Sequence, residues 1–204
     1  GQAIRNAKDG NVEVLLVHHT ESEIKFMTEG YGIKRYKLMY NDFIIVGPRN
    51  DKNKCHNLNT KLEEIIKKKL TFISRGDDSG THKKELEIWK SIGIDPFNSN
   101  FQYLEVGQGM GSTLLITNEK IAYTLSDRST WLSFNKKNNL KIICQSKPPL
   151  FNQYGLILVK PINNTNLNIN DATTYINWLI SSEGKKYINS FKINGKQLFF
   201  YNYK

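Results

Sequence analysis

Twice in its middle third the sequence passes from a short apolar strand through a glycine-bearing polar loop into a helix, and no other feature narrows the fold as much. In the first copy Leu70, Phe72 and Ile73 give the strand, Ser74-Arg75-Gly76-Asp77-Asp78-Ser79-Gly80 the loop, and Leu86, Trp89 and Ile92 recur at helical spacing. In the second, Phe101 to Val106 alternates as a strand, and Gly107-Gln108-Gly109-Met110-Gly111-Ser112-Thr113 leads into Leu114-Leu115-Ile116. Strands that alternate with helices specify an α/β fold with mostly parallel sheets, and such sheets bind ligands at the C-terminal ends of their strands. A third strand, Lys120 to Leu125, also ends in a polar loop, Ser126-Asp127-Arg128-Ser129-Thr130.

Each of these loops aims the free N–H groups of a helix start at whatever sits above the strand end, which suits an anion. Arg75 adds a planar, permanently charged five-donor fork, Asp78 or Ser79 is placed to cap the helix, and Ser79 and Thr81 carry hydroxyl donors. The plainer reading of the same residues is a capped helix after a turn, with Arg75 in a salt bridge. The Gly-x-Gly-x-Gly of the second loop lacks the lysine of a nucleotide loop.

The rest of the chain extends the pattern. Gln2 to Asp9 reads as a short helix and Val12 to Val17 as a buried, parallel strand. Thr20-x-x-Glu23 and Thr60-x-x-Glu63 read as capping boxes. Tyr36 to Val46 is extended and closes at Gly47-Pro48; Leu140 to Cys144 precedes Pro148-Pro149; Gly155 to Val159 is a further strand. Pro161 to Asn170 reads as a mobile, Asn-rich linker, and Asp171 to Ile180 as an amphipathic helix. Gly47-Pro48 and Pro148-Pro149 divide the chain into residues 1–48 with 150–204 and residues 49–149, the layout of two lobes joined by two crossings with a ligand held between them.

The 204 residues carry a formal charge of +10, which favours anionic partners. The lysines are scattered, in short runs such as Lys67-Lys68-Lys69 and Lys136-Lys137, with no basic-aromatic platform, which argues against nucleic acid. No apolar run reaches the length of a membrane span. Cys55 and Cys144 are free to pair or not, and neither they nor the adjacent pairs His18-His19 and Cys55-His56 have metal-ligand spacing. Beginning at Gly1, the sequence reads as a processed or truncated piece.

Several segments together resemble a known family. Val14-Leu15-Leu16-Val17-His18, Tyr40-Asn41-Asp42-Phe43-Ile44-Ile45-Val46-Gly47-Pro48, Ser74 through His82, Gly109 through Leu114 and Ala122 through Trp131 are similar, in this order, to the tungstate-binding periplasmic proteins of ABC importers, which have the two-lobed type II periplasmic-binding-protein fold. The Ser-Arg-Gly-Asp block is specific to that group. The resemblance implies an extracytoplasmic receptor, not an enzyme, that binds tungstate or molybdate without a cofactor and delivers it to a permease. A tungstate dianion offers only acceptors, so the site it implies consists of donors: Ser74, Arg75, Ser79, Gly80, Thr81, Gly109, Met110, Gly111 and Thr113 through side chains or backbone N–H groups. Arg128 is the candidate second arginine, because Pro149 to Tyr154 presents no basic side chain. Asp77 and Asp78 are expected to cap the helix or brace Arg75 from behind.

Members of the family usually begin with a strand, a Thr/Ser-rich loop, a helix and a second strand. This sequence starts after that unit, so the resemblance implies an incomplete first lobe and weak binding by this stretch alone. Two other functions compete with the receptor reading. The effector domain of a LysR-type transcription regulator shares the fold. An enzyme is less favoured: Gly76-Asp77-Asp78-Ser79-Gly80 only echoes the Gly-Asp-Ser-Gly of serine proteases, and His82, three residues after Ser79, seldom points a base at such a nucleophile.

Overall fold

The structure, a computed structural model, describes residues 1–53, 55–145, 149–162 and 167–204. Pro148 of the expected boundary and residues 163–166 of the expected linker lie outside the described residues. The elements in chain order are α1 (Gln2–Lys8), β1 (Val14–Val17), α2 (Thr20–Thr28), β2 (Gly32–Pro48), α3 (Leu58–Lys67), β3 (Thr71–Ser74), α4 (Gly80–Ser91), β4 (Gln102–Glu105), α5 (Met110–Lys120), β5 (Thr124–Asp127), α6 (Arg128–Ser133), β6 (Leu140–Cys144), β7 (Phe151–Val159), α7 (Ile169–Ile180), α8 (Ser182–Ser190) and the short β8 (Lys192–Ile193), β9 (Lys196–Gln197) and β10 (Phe200–Tyr201).

Both expected capping boxes shift. His19 caps α2, its Nδ1 accepting from Ser22 N–H at 3.2 Å. Asn57 caps α3, its side-chain oxygen accepting from Asn59 N–H at 2.7 Å. In each case a side chain with an acceptor upstream of the threonine meets the first free N–H and starts the helix earlier. The threonines become helical residues.

The chain divides into unit 1, residues 1–41 and 152–204, and unit 2, residues 42–151. The sequence places these divisions after 48 and 149. The first moves because Gly47-Pro48 is not a turn: both residues are paired in β2, Gly47 with Lys141 and Pro48 with Leu140. Proline at the last position of a strand costs no ladder bond that the strand needs.

In unit 1, β7 alternates between two layers. Leu156 and Leu158 pack with Leu38, Met39 and the α7 residues Ala172, Ile176 and Leu179. Ile157 and Val159 pack with Ala7 of α1, Leu15 of β1 and Phe26 of α2. Successive side chains of a strand point to opposite faces, so four consecutive apolar residues here serve two helical layers. Strand β1 pairs antiparallel with β7, from Val14 opposite Leu158 to Val17 opposite Gly155, and Leu16 is exposed. The expected buried parallel strand is therefore corrected: β1 is antiparallel to β7 and, among the described residues, stands at one end of the sheet order. Gly155 is required by packing, since a Cβ there would lie 2.0 Å from Glu23 Oε2.

Unit 2 repeats the logic. In β2, Phe43 and Ile45 pack with Leu58, Leu62 and Ile65 of α3 and Ile88 and Trp89 of α4, whereas Ile44 and Val46 pack with Met110 and Leu114 of α5 and Trp131 of α6. A disulfide, Cys55–Cys144, ties the loop before α3 to β6.

The fold is α/β, and the direction of its strands corrects the expectation of mostly parallel sheets. Strand β3 is parallel to β4, and Phe72 bridges to Tyr123, just before β5, also in parallel. The pairings of β1 with β7, β2 with β10, β5 and β6, and β8 with β9 are antiparallel. Parallel pairing needs a crossover, and α4 supplies it between β3 and β4.

Candidate functional site

Because β3, β4 and the start of β5 run in parallel, their C-terminal ends lie along one edge of the unit 2 sheet. Helices α4, α5 and α6 start from that edge, and their starts are not alike.

Strand β3 ends at Ser74, which is fully buried and whose Oγ has no hydrogen-bond partner of normal geometry. Arg75 follows, with Nε 3.1 Å from Asp77 Oδ2 and Nη2 on the same oxygen. The other oxygen of Asp77 accepts from Ser79 N–H at 3.2 Å. Asp77 thus braces Arg75 and closes the turn. Burial works to raise the Asp77 pKa, but the hydrogen bonds with Ser79 and Arg75 outweigh it and hold the carboxyl below its ordinary range. Gly76 has φ +58°, and a Cβ on it would meet the Glu105 side chain at 2.6 Å. Of the two candidate caps, Ser79 caps α4, its Oγ accepting from His82 N–H at 3.2 Å. That use leaves the backbone N–H groups of Gly80 and Thr81, in the first turn, without a partner inside the helix. Thr81 itself is buried.

His82 Nδ1 accepts from Asp78 N–H at 3.2 Å, which places the ring hydrogen on Nε2, 3.4 Å from Glu105 Oε1. Its ring therefore serves Asp78 and Glu105, while Ser79 receives only its backbone N–H. No nucleophile–base pair forms at the Ser79 hydroxyl.

Helix α5 starts at Gly109, which has no side chain with which to cap it. A Cβ on Gly109 or Gly111 would meet nothing within 4 Å, so the space over this start is open. Met110 turns inward and packs with Ile44, Val46 and Leu114. Thr113 corrects the expectation of a hydroxyl donor: it is fully buried, and its Oγ1 donates to the Gly109 carbonyl at 3.1 Å. A helical threonine satisfies itself this way on the preceding turn.

Arg128, like Arg75, is engaged by a carboxylate. Its Nε and Nη2 each lie 2.6 Å from an Asp42 carboxylate oxygen, and Nη2 also donates to Gln145 Oε1 at 2.9 Å. The cross-strand register explains it, since Phe43 stands opposite Asp127 and brings Asp42 beside Arg128. Asp127 then caps α6, accepting from Thr130 N–H at 2.8 Å and from the Ser129 and Thr130 hydroxyls. A carboxylate occupies the place an anion would take. In the first two loops the candidate donors are Ser74, Arg75, the first-turn N–H groups of Gly80 and Thr81, and those of Met110 and Gly111.

The sequence reading missed what lies beneath this edge. Glu85 is buried on α4; Tyr103 Oη donates to its Oε1 at 2.7 Å and Trp89 Nε1 at 3.2 Å. The buried face of α4 is Thr81, Glu85, Ile88 and Trp89. The helical spacing of 81, 85 and 88 was the available signal, hidden because Glu85 adjoins Lys83-Lys84 and reads as solvated.

Residues 1–183 match the family of the PBP superfamily domain. The tungstate-binding protein TupA of Peptoclostridium acidaminophilum is 43% identical over 196 residues, 94% of this chain and 68% of that protein. Among solved structures, the tungstate-binding protein TupA of Desulfovibrio alaskensis superposes with a TM-score of 0.83 at 37% identity, covering all of this chain and 84% of that one. The tungstate ABC transporter structure from Geobacter sulfurreducens gives 0.82 at 42% identity, covering 94% of this chain and 82% of the other. The chain belongs to the PBP superfamily and, within it, to the TupA family.

Proposed function

We propose that this protein is the substrate-binding component of an ABC importer, that it captures a tetrahedral oxyanion, and that the oxyanion is tungstate. The observation that carries the reading is the pair of helix starts on one sheet edge, α4 and the open α5, flanked by Arg75 and by the buried Ser74 hydroxyl, which has no hydrogen-bond partner of normal geometry. Every one of these groups is a donor, and a fully ionised dianion accepts hydrogen bonds only. The names of the TupA relatives supply the ion and the transporter. They are binding proteins, which favours neither an enzyme nor a regulator's effector domain.

The Cys55–Cys144 disulfide supports a place outside the cytoplasm, where oxidised cysteine pairs persist. No helix among the described residues is long and apolar enough to cross a membrane.

Calorimetry with tungstate, molybdate, sulfate and phosphate tests the reading. Tungstate and molybdate are expected to bind and phosphate, a protonated ion at neutral pH, to bind poorly. Arg75→Ala should weaken tungstate binding by about 2–5 kcal/mol while leaving the circular dichroism spectrum unchanged. Equal affinity in the folded variant removes Arg75 from the site. Absence of oxyanion binding by the unmodified protein removes the function.

A further inference from the structure

Ser74 is buried beside a polar group formed by Glu85 and Tyr103. The Glu85 carboxylate is within the core of unit 2, and among the described residues no lysine or arginine pairs with it. Its hydrogen-bond partners are neutral: Tyr103 of β4 at 2.7 Å and Trp89 of α4 at 3.2 Å. Glu105 of β4 adds a second negative charge to its surroundings. His82 of α4 lies against Glu105, its Nε2 3.4 Å from Oε1, rather than against Glu85. The Ser74 hydroxyl, at the end of β3, stands close enough to favour the ionised form of Glu85, without a hydrogen bond of normal geometry.

A serine hydroxyl has one proton to donate. An ionised Glu85 competes for it, whereas a protonated Glu85 is itself a donor and leaves the Ser74 proton to another acceptor. The charge acts in the same direction. Glu85 is on the second turn of the helix whose start faces the edge, and a bare carboxylate there opposes an incoming dianion in a poorly screened interior.

We propose that Glu85 is a positioning residue that couples oxyanion capture to proton uptake: where it is ionised, it takes a proton from solvent when the anion binds, and so frees Ser74 and removes a buried negative charge. Burial pushes its pKa up to about 7, against the pull of the Tyr103, Ser74 and Trp89 donors, so the proton is exchangeable near neutral pH. The proposal rests on the oxyanion-binding reading above.

The test is calorimetry of the full chain with tungstate from about pH 6 to about pH 8.5, in buffers of differing ionisation enthalpy. Wild-type protein should bind at least about fivefold more weakly at the upper end and take up a fraction of a proton per ion bound. Glu85→Gln should abolish both the slope and the uptake, and any titration of the ion itself should remain in both proteins. Should Glu85→Gln fail to fold, Tyr103→Phe serves instead: losing a donor to the carboxylate raises its pKa and moves the midpoint of the profile to higher pH. His82→Gln should keep the slope. Binding with equal slopes in wild type and Glu85→Gln, or a slope lost only in His82→Gln, overturns the proposal alone. Absence of tungstate binding by the wild type at every pH overturns the functional reading and the proposal with it.

Discussion

Each unit buries one glutamate on the helix that follows a strand, Glu23 on α2 in unit 1 and Glu85 on α4 in unit 2. Their surroundings differ in kind. Glu23 is held by a cation, with Arg35 Nε at 2.7 Å from its Oε2, and Glu85 by a phenol and an indole. Burial raises both pKa values; at Glu23 the Arg35 charge pulls back, and at Glu85 no cation does. A carboxylate with a fixed countercharge is a structural part. One held by neutral donors exchanges a proton with the solvent, and it lies beneath the edge that bears the donors.

The largest effect expected from this contrast is in unit 1. Arg35→Met leaves Glu23 buried without its cation, which should destabilise the protein by about 3–5 kcal/mol in urea unfolding. Without Arg35, only His19 still opposes burial and the Glu23 pKa rises further. A raised folded-state value means stability present at low pH and lost as pH rises through it, so the deficit should be greatest in alkaline buffer. The pair Glu23→Leu with Arg35→Met should recover much of the loss. A small, pH-independent deficit in Arg35→Met would show that the two glutamates do not differ in the way described.

At Glu85 the expected effect is smaller and takes another form. Its folded-state pKa of about 7 lies above the ordinary 4.5, so protonation contributes stability that is complete below the unfolded value and is lost as pH rises through about 7. The difference is worth up to roughly 3 kcal/mol. Glu85→Gln cannot ionise and should remove that part of the pH dependence, measured by chemical unfolding at a series of pH values. A stability profile for Glu85→Gln parallel to the wild type between about pH 5 and 8 would show that Glu85 does not titrate there.

Neither glutamate was legible as buried from the sequence, because Glu23 matched a capping box and Glu85 adjoined two lysines. What was legible depended on repetition. The strand–loop–helix pattern at residues 70–92 and 101–116 exposed the α/β class and the edge where donors gather, since glycine, strand alternation and helical spacing are all local properties. Arg75 and its brace Asp77 were readable for the same reason, being two residues apart in one loop. Arg128 was not: its partner Asp42 is 86 residues away and meets it only through the β2–β5 register. Strand direction failed on the same ground. The sequence of β1 has the apolar run of a buried parallel strand, and only its pairing with β7 shows that it is antiparallel.

The smallest effects concern the helix caps, where the two units offer a matched pair. Ser79 Oγ accepts from His82 N–H at the start of α4 in unit 2, and Asn168 Oδ1 accepts from Asp171 N–H at the start of α7 in unit 1, each over three residues. Both helices are 12 residues long, so truncating either cap should cost a similar amount, about 1 kcal/mol in unfolding free energy. The consequences for binding should separate them. Ser79 donates its N–H to Asp77 and also bonds it through its side chain, and Asp77 holds Arg75, so Ser79→Ala removes the Ser79 side-chain bond with Asp77 and loosens the turn that presents the guanidinium. Asn168 bonds to Asp171, Glu13 and, through its carbonyl, Ala172, none of them on the unit 2 edge. Ser79→Ala should therefore weaken tungstate binding several-fold, and Asn168→Ala should leave it unchanged at equal loss of stability. If both variants lose affinity in proportion to stability, the α4 start is an ordinary capped helix and the donor edge is not where the anion is held.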